Sequence, residues 1–179
     1  MTAVANQVFR AADFNTSVRD NLLETEAAKA TAGTYFVSAG GNAINTRLAT
    51  GATVNDAVAT GSTTYADLPG SFGPQVSVVT GTSALVMWGC RIGNPGNIAS
   101  SARMSVEISG ASSIAATDDH AAGSVNQSST GARILLGQSF LYTGLNPGTN
   151  VFTAKYRTSA GGGTGSANVG QRTLTVIPF

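Results

Sequence analysis

From Ser62 to its last residue the chain is a succession of short apolar runs closed by glycine, proline, asparagine or serine. This punctuation restricts it to an antiparallel β architecture. The runs are "TTYADL", "QVSVVT", "SALVMWGCRIG", "ARMSVEISG", "ARILLGQSFLYTG", "NVFTAKYRTSA" and "QRTLTVIPF". Several of them alternate cleanly. Val151, Thr153, Lys155 and Arg157 fall on one side of an extended chain, and Phe152, Ala154 and Tyr156 on the other. Leu174, Val176 and Pro178 alternate in the same way with Thr173, Thr175, Ile177 and Phe179. A half-buried antiparallel strand has this period of two. "SALVMWGCRIG" is more continuously apolar and is predicted to be a central strand. In "LNPGTN", Pro147 and Gly148 take the second and third positions of a tight turn. No helical period occurs after residue 61, and the spacing of strands and turns predicts a sandwich or jelly roll.

The opening differs. The chain has ten basic and nine acidic side chains, and seven of them lie in "FRAADFNTSVRDNLLETEAAKA", residues 9–30. Asp13 is a suitable N-cap, and Phe14, Val18 and Leu22 recur every four residues, with Leu23 beside them. The spacing predicts a helix over 14–24 with one apolar stripe. A helix of about three turns is marginal alone and needs a surface to pack on, in its own domain or in another subunit. "TYFVS" and "AINTRLA" flank "AGGN" and predict a hairpin. "TGATVNDAVATGS" is small, polar and rich in breakers, and reads as a linker. The expected organisation is therefore mainly β. A short N-terminal helix, hairpin and linker over 1–61 form an attachment or oligomerisation arm, and an antiparallel β-sandwich, jelly-roll-like, occupies 62–179.

Composition excludes several function classes. A formal net charge of +1 leaves no electrostatic footprint for nucleic acid or anionic lipid. No apolar stretch approaches the length of a membrane span, about 18 residues. No signal peptide is visible, so synthesis in the cytosol is expected. The single cysteine, Cys90, rules out an intrachain disulfide framework and sits in an apolar run, where a buried, inert thiol is expected.

Chemistry is sparse. Asp118, Asp119 and His120 in "TDDHAAG" are the one cluster resembling a metal site or a base with its orienter. Consecutive residues of an extended chain point to alternate faces, so a polar loop is expected instead. His120 is the only histidine, and no second His or Cys completes a zinc or cysteine-protease set. "SAGGGTGSANVG" lacks the Lys-Ser/Thr pair of a phosphate-binding loop and reads as a connection between strands. Arg103 and Glu107 occupy alternate positions of one strand, which suits exposed cross-strand pairing. Trp88, Tyr142 and Tyr156 are candidates for a sugar-binding platform, although aromatics in apolar strands more commonly fill a core. The expectation is a non-enzymatic chain with no cofactor and no metal.

The phrases "ANQVFRAADFNTSVRDNLLETEAAKA", "ATGSTTYADLPG", "VSVVTGTSALVMWGC", "VEISGASSIAATDDHA", "FLYTGLNPGTNVFTAKYRTSAGGGTG" and "TLTVIPF" cover nearly the whole chain. Together they resemble the small virion structural proteins of actinobacterial tailed phages. That group includes head decoration or head-fibre proteins and minor tail proteins. None of the phrases is a catalytic motif. The resemblance implies a virion-surface protein made in the host cytoplasm. It also implies a homotrimeric capsid decoration, a stoichiometry that jelly-roll geometry suits and no single residue specifies. Its partners would be copies of itself and the major capsid protein or tail proteins. Val8, Phe9, Phe14, Val18, Leu22 and Leu23 would then form the attachment or oligomer interface. The alternative within the group is a minor tail or tail-tip protein whose β domain binds a host cell-surface glycan through exposed aromatics. A cell-wall hydrolase would require paired carboxylates across a cleft, and Asp118 and Asp119, adjacent in sequence, do not provide them.

Overall fold

A computed structural model describes residues 11–12, 30–40, 43–93, 101–124, 133–159 and 167–179. The chain divides into two compact units, Met1–Thr46 and Arg47–Phe179. In the first, β1 (Tyr35–Gly40) and β2 (Ala43–Arg47) form a two-stranded sheet, the hairpin predicted around "AGGN". Among the described residues helical geometry occurs only at Ala11 and Ala12, and the helix predicted over 14–24 lies outside them.

The second unit holds eight strands: β3 (Thr50–Thr60), β4 (Gln75–Thr80), β5 (Ser83–Gly93), β6 (Ser101–Gly110), β7 (Ala122–Ser124), β8 (Arg133–Thr143), β9 (Gly148–Ser159) and β10 (Ala167–Pro178). They pair as nested hairpins. β3 pairs with β10, β4 with β9, β5 with β8 and β6 with β7, all antiparallel. The strip then rolls up. β10 also pairs with β5, and β9 with β6, giving two four-stranded sheets of order β3-β10-β5-β8 and β4-β9-β6-β7. A long hairpin wrapped into two facing sheets is a jelly roll. The predicted sandwich is present, and β5 is an interior strand of its sheet, as its continuous apolarity requires.

The alternation read from the sequence decides what each strand buries. Phe152, Ala154 and Tyr156 of β9, Leu174 and Val176 of β10, and Val86, Trp88 and Cys90 of β5 form the core between the sheets. Met104, Val106 and Ile108 of β6 meet them from the opposite layer.

Three expectations need correction. The segment read as a linker is β3, an edge strand of eleven residues, and the division between units falls at Thr46/Arg47 rather than near Gly61. Its small residues suffice because β10 supplies the hydrogen-bonding partner, while only Ala52 and Val58 need to pack against the core. "TTYADL" is not a strand. Ser62 and Ala66 instead bridge to the edge of β9 that β4 leaves free: the Thr158 N–H donates to Ser62 O, and Ala66 exchanges both backbone bonds with Tyr156. "SANVG", read as part of a connecting loop, contributes the first four residues of β10, Ala167 to Gly170.

β10 carries a bulge between Gly170 and Arg172, with Gln171 at φ 46°. The extra residue inverts the alternation, so Val169 before it and Arg172, Leu174 and Val176 after it all face inward. It thereby places a guanidinium inside the sandwich.

Candidate interaction surfaces

The sandwich has two outer faces of opposite character. Strands β6 and β9 project Arg103, Glu107, Lys155 and Arg157 outward from the first face. Lys155 Nζ sits 3.0 Å from both oxygens of Asp67 and 3.9 Å from Glu107. The cross-strand pairing expected of Arg103 and Glu107 is present for Glu107, which pairs with Lys155 of β9, whereas Arg103 takes the loop residue Asp118 as its partner.

Asp118 is the hub of this face. It accepts from Arg157 Nε at 2.8 Å and from the Tyr65 hydroxyl at 2.7 Å, and it also pairs with Arg157 Nη2 and Arg103 Nη1. The Arg157 guanidinium lies 5.5 Å from the Tyr65 ring centroid. A shallow hollow beside the hub is lined by Thr63, Thr64, Glu107, Ala115 and Asp119. The hydrogen bond from Arg157, aided by Tyr65 and the charge of Arg103, holds the Asp118 carboxyl below its ordinary value of 3.8. Burial and the bond to Asp118 push the Tyr65 hydroxyl up to about 12. A carboxylate held by two arginines and a phenol ties a loop to a sheet and is not available as a base.

A folded-state pKa below the unfolded one stabilises the fold above the unfolded value, and that stabilisation is lost as pH falls through the folded value. Thermal unfolding should therefore show a falling acid limb below pH 3.8. Asp118→Asn should flatten that limb while lowering Tm at neutral pH. An acid limb identical in Asp118→Asn and wild type would remove Asp118 from this role.

His120 does not join Asp118. Its ring stacks on Phe140 at 3.7 Å between centroids and meets the edge of Tyr142 at 5.8 Å, closing loop 118–121 over β8. Among the described residues no three His, Cys, Asp or Glu side chains converge on a point that could hold a metal. Cys90 is buried, and burial pushes its thiol up to about 12, so it is protonated at neutral pH. Trp88, Tyr142 and Tyr156 do not form a surface platform. All three are core residues, with Trp88 Nε1 donating to Met104 O at 3.2 Å and the Tyr156 hydroxyl to Gly73 O at 2.9 Å. Val8, Phe9, Phe14, Val18, Leu22 and Leu23 lie outside the described residues.

The second outer face, on the sheet β3-β10-β5-β8, was not singled out from the sequence. Its outward residues form cross-strand rows: Ile177, Leu85 and Leu141; Gly51, Thr175, Met87 and Ser139; and Thr53, Thr173, Gly89 and Gly137. None of these is charged. Arg91, directly opposite Leu135, and Arg133 stand on the same face toward one end. Gly89 is required here, because a Cβ at this position would lie 2.8 Å from Leu136 O. With Gly137 opposite, it leaves a groove bounded by Met87 and Leu135. Leu135 itself is 73% exposed. The signal was present in "RILL" at the start of β8, which is apolar on both parities of an edge strand.

No protein-family model matches the chain, and no curated protein matches its sequence. Among solved structures, the infectious bursal disease virus VP2 subviral particle is similar at a TM-score of 0.49 and 14% identity, over 79% of this chain and 37% of that one. The T13 particle of the same virus is similar at a TM-score of 0.48 and 16% identity, over 79% of this chain and 35% of that one. A family 35 carbohydrate binding module from an environmental isolate is similar at a TM-score of 0.32 and 19% identity, over 83% of this chain and 93% of that one. The chain thus spans about a third of the length of the viral proteins it resembles. Likenesses this distant bear on neither function nor partner.

Proposed function

We propose that this chain is a structural protein of a phage virion, a homotrimeric decoration of the head whose N-terminal arm attaches it and whose jelly roll forms the exposed body. The arm carries the reading. Its described part includes the two-stranded sheet of β1 and β2, in which Phe36 and Ile44 are 46% and 47% exposed. Such a hairpin, together with the apolar stripe Phe14, Val18 and Leu22, is suited to burial against a shell protein or sister subunits. The role in a virion comes from the sequence resemblance. The chemistry of the sandwich agrees with a non-enzymatic part, since Asp118 is engaged by arginines and Cys90 is buried. The tail-tip reading loses the aromatic platform on which it depended.

The test is binding to purified heads and purified tails, using the full chain and the full-length double variant Phe14→Asp, Leu22→Asp. Burying a carboxylate at each of two contact positions should weaken head binding by roughly 100-fold or more. The circular dichroism of the sandwich should be unchanged. Undiminished head binding by the variant would overturn the attachment role, and binding to tails alone would overturn the decoration role.

A further inference from the structure

We propose that the outer face of the β3-β10-β5-β8 sheet, uncharged except for Arg91 and Arg133 at one end, is the surface through which copies of this chain associate. In the homotrimer proposed above, on which this inference rests, the three faces turn toward the symmetry axis. An antiparallel sheet with one solvated face normally alternates apolar-in with polar-out, as the β4-β9-β6-β7 sheet does with its ion pairs. The β3-β10-β5-β8 sheet breaks that rule. Leu85, Met87, Leu141 and Ile177 sit on its outward rows, and Leu135 protrudes from β8, the last strand of the sheet. Ile134, on the inward side of the same strand, is 42% exposed. An edge strand apolar on both sides is a template for another chain.

Three observations select a second copy as the occupant. The first is charge. The rows from Gly89–Gly137 to Leu85–Leu141 offer a charged partner surface no counter-charge for its lost hydration, whereas an identical face brings no charge to them, and Arg91, opposite Leu135, and Arg133 lie at the end of the face. The second is shape. The Gly89–Gly137 groove lies one row from the protruding Leu135, so the same face carries both a ridge and a slot to receive one. The third is area. Four strands about 4.8 Å apart, each with about eight residues at a rise of about 3.3 Å, span roughly 500 Å². Three such faces closed around the axis remove about 1,500 Å² from water in all, within the range that holds a specific complex together.

Light scattering after size exclusion, on the full chain, tests this. Wild type should elute with three times the monomer mass. Leu135→Glu combined with Gly137→Glu should raise the dissociation constant by roughly 100-fold or more and yield monomer. Both substitutions are compatible with the fold, because Leu135 is exposed and a Cβ at Gly137 meets only Trp88 O, at 3.5 Å. Far-UV dichroism verifies that the fold is retained, and Leu135→Gln alone is a milder variant expected to weaken association about tenfold. Ser77→Glu with Val79→Glu, on the outer side of β4, should leave the oligomer intact. An oligomer that survives the double face variant, or one lost equally in the β4 variant, overturns this surface while leaving the homotrimer standing. A monomeric wild type overturns both.

Discussion

Arg172→Ala should lower the stability of the sandwich by about 2–5 kcal/mol, whereas Arg172→Met should cost less than about 1.5 kcal/mol. Among the described residues Arg172 is the largest fully buried side chain, at 0% exposure. Its Nη1 donates to Gly73 O at 3.1 Å, and its Nη2 donates to Ser71 Oγ at 2.9 Å and pairs with Asp56. The guanidinium lies 5.6 Å from the Tyr156 ring centroid. The cluster therefore joins β3, the segment before β4, β9 and β10. Each group left behind when the guanidinium is removed keeps a partner or water. The Ser71 hydroxyl still donates to Asp56 at 2.6 Å, Gly73 O still accepts from Tyr156, and Asp56 is partly exposed. The cost of truncation is thus the cavity, and methionine fills most of it.

The reverse deletion differs in kind. Asp56→Ala strips the counter-charge from a fully buried cation, and breaking a buried pair from one side is the costly way to break it. Asp56→Ala should therefore destabilise more than Arg172→Met, although Asp56 is the more exposed partner. The Asp56 carboxyl is held below its ordinary value, first by the Ser71 hydroxyl and then by Arg172, so this contribution too is present above that value and lost in acid. Urea unfolding of the three variants decides the matter. Equal losses for Arg172→Ala and Arg172→Met would show that the hydrogen bonds, and not the filled volume, are what Arg172 contributes.

Asn150→Ala should cost about 3 kcal/mol, far more than an ordinary polar truncation, because it leaves a buried donor without a partner. Asn150 is fully buried at the end of the sandwich. Its Nδ2 donates to Thr80 Oγ1 at 2.8 Å and to Asn146 O at 3.0 Å, and its Oδ1 accepts from the Ser112 N–H at 2.7 Å. One amide thus joins the end of β4, the connection after β6 and the turn before β9. The Ser112 amide should lose its protection against hydrogen exchange in the variant. Asn146→Ala, at an exposed position, should cost under about 1.5 kcal/mol. Asn150→Asp should not rescue, since a carboxylate oxygen would replace the donor that now faces Asn146 O. A loss below 1 kcal/mol in Asn150→Ala would mean that water replaces the amide there, and the three connections would not depend on it.

The sequence by itself determined the strands whose apolar periodicity is strong, because a period of two is a local property. Ser83–Gly93 was legible residue for residue, as was the division of β9 into Phe152, Ala154 and Tyr156 inward and Lys155 and Arg157 outward. Arg172 shares the parity of Leu174 and Val176, so its inward position was readable in principle, although an arginine in an otherwise polar stretch is ordinarily taken as exposed. Pairing was not legible. β3 is a strand only because β10, more than a hundred residues later, presents the other half of its ladder. Local composition carries no record of such a partner. For the same reason Asp118 showed no sign of Arg103 or Arg157, and Trp88, Tyr142 and Tyr156 could have been surface or core until two sheets closed over them. The contrast between one charged and one largely uncharged outer face was likewise decided only in the tertiary structure. Alternation assigns each residue to a side of its strand, and only the packing of one sheet on another decides which side meets water.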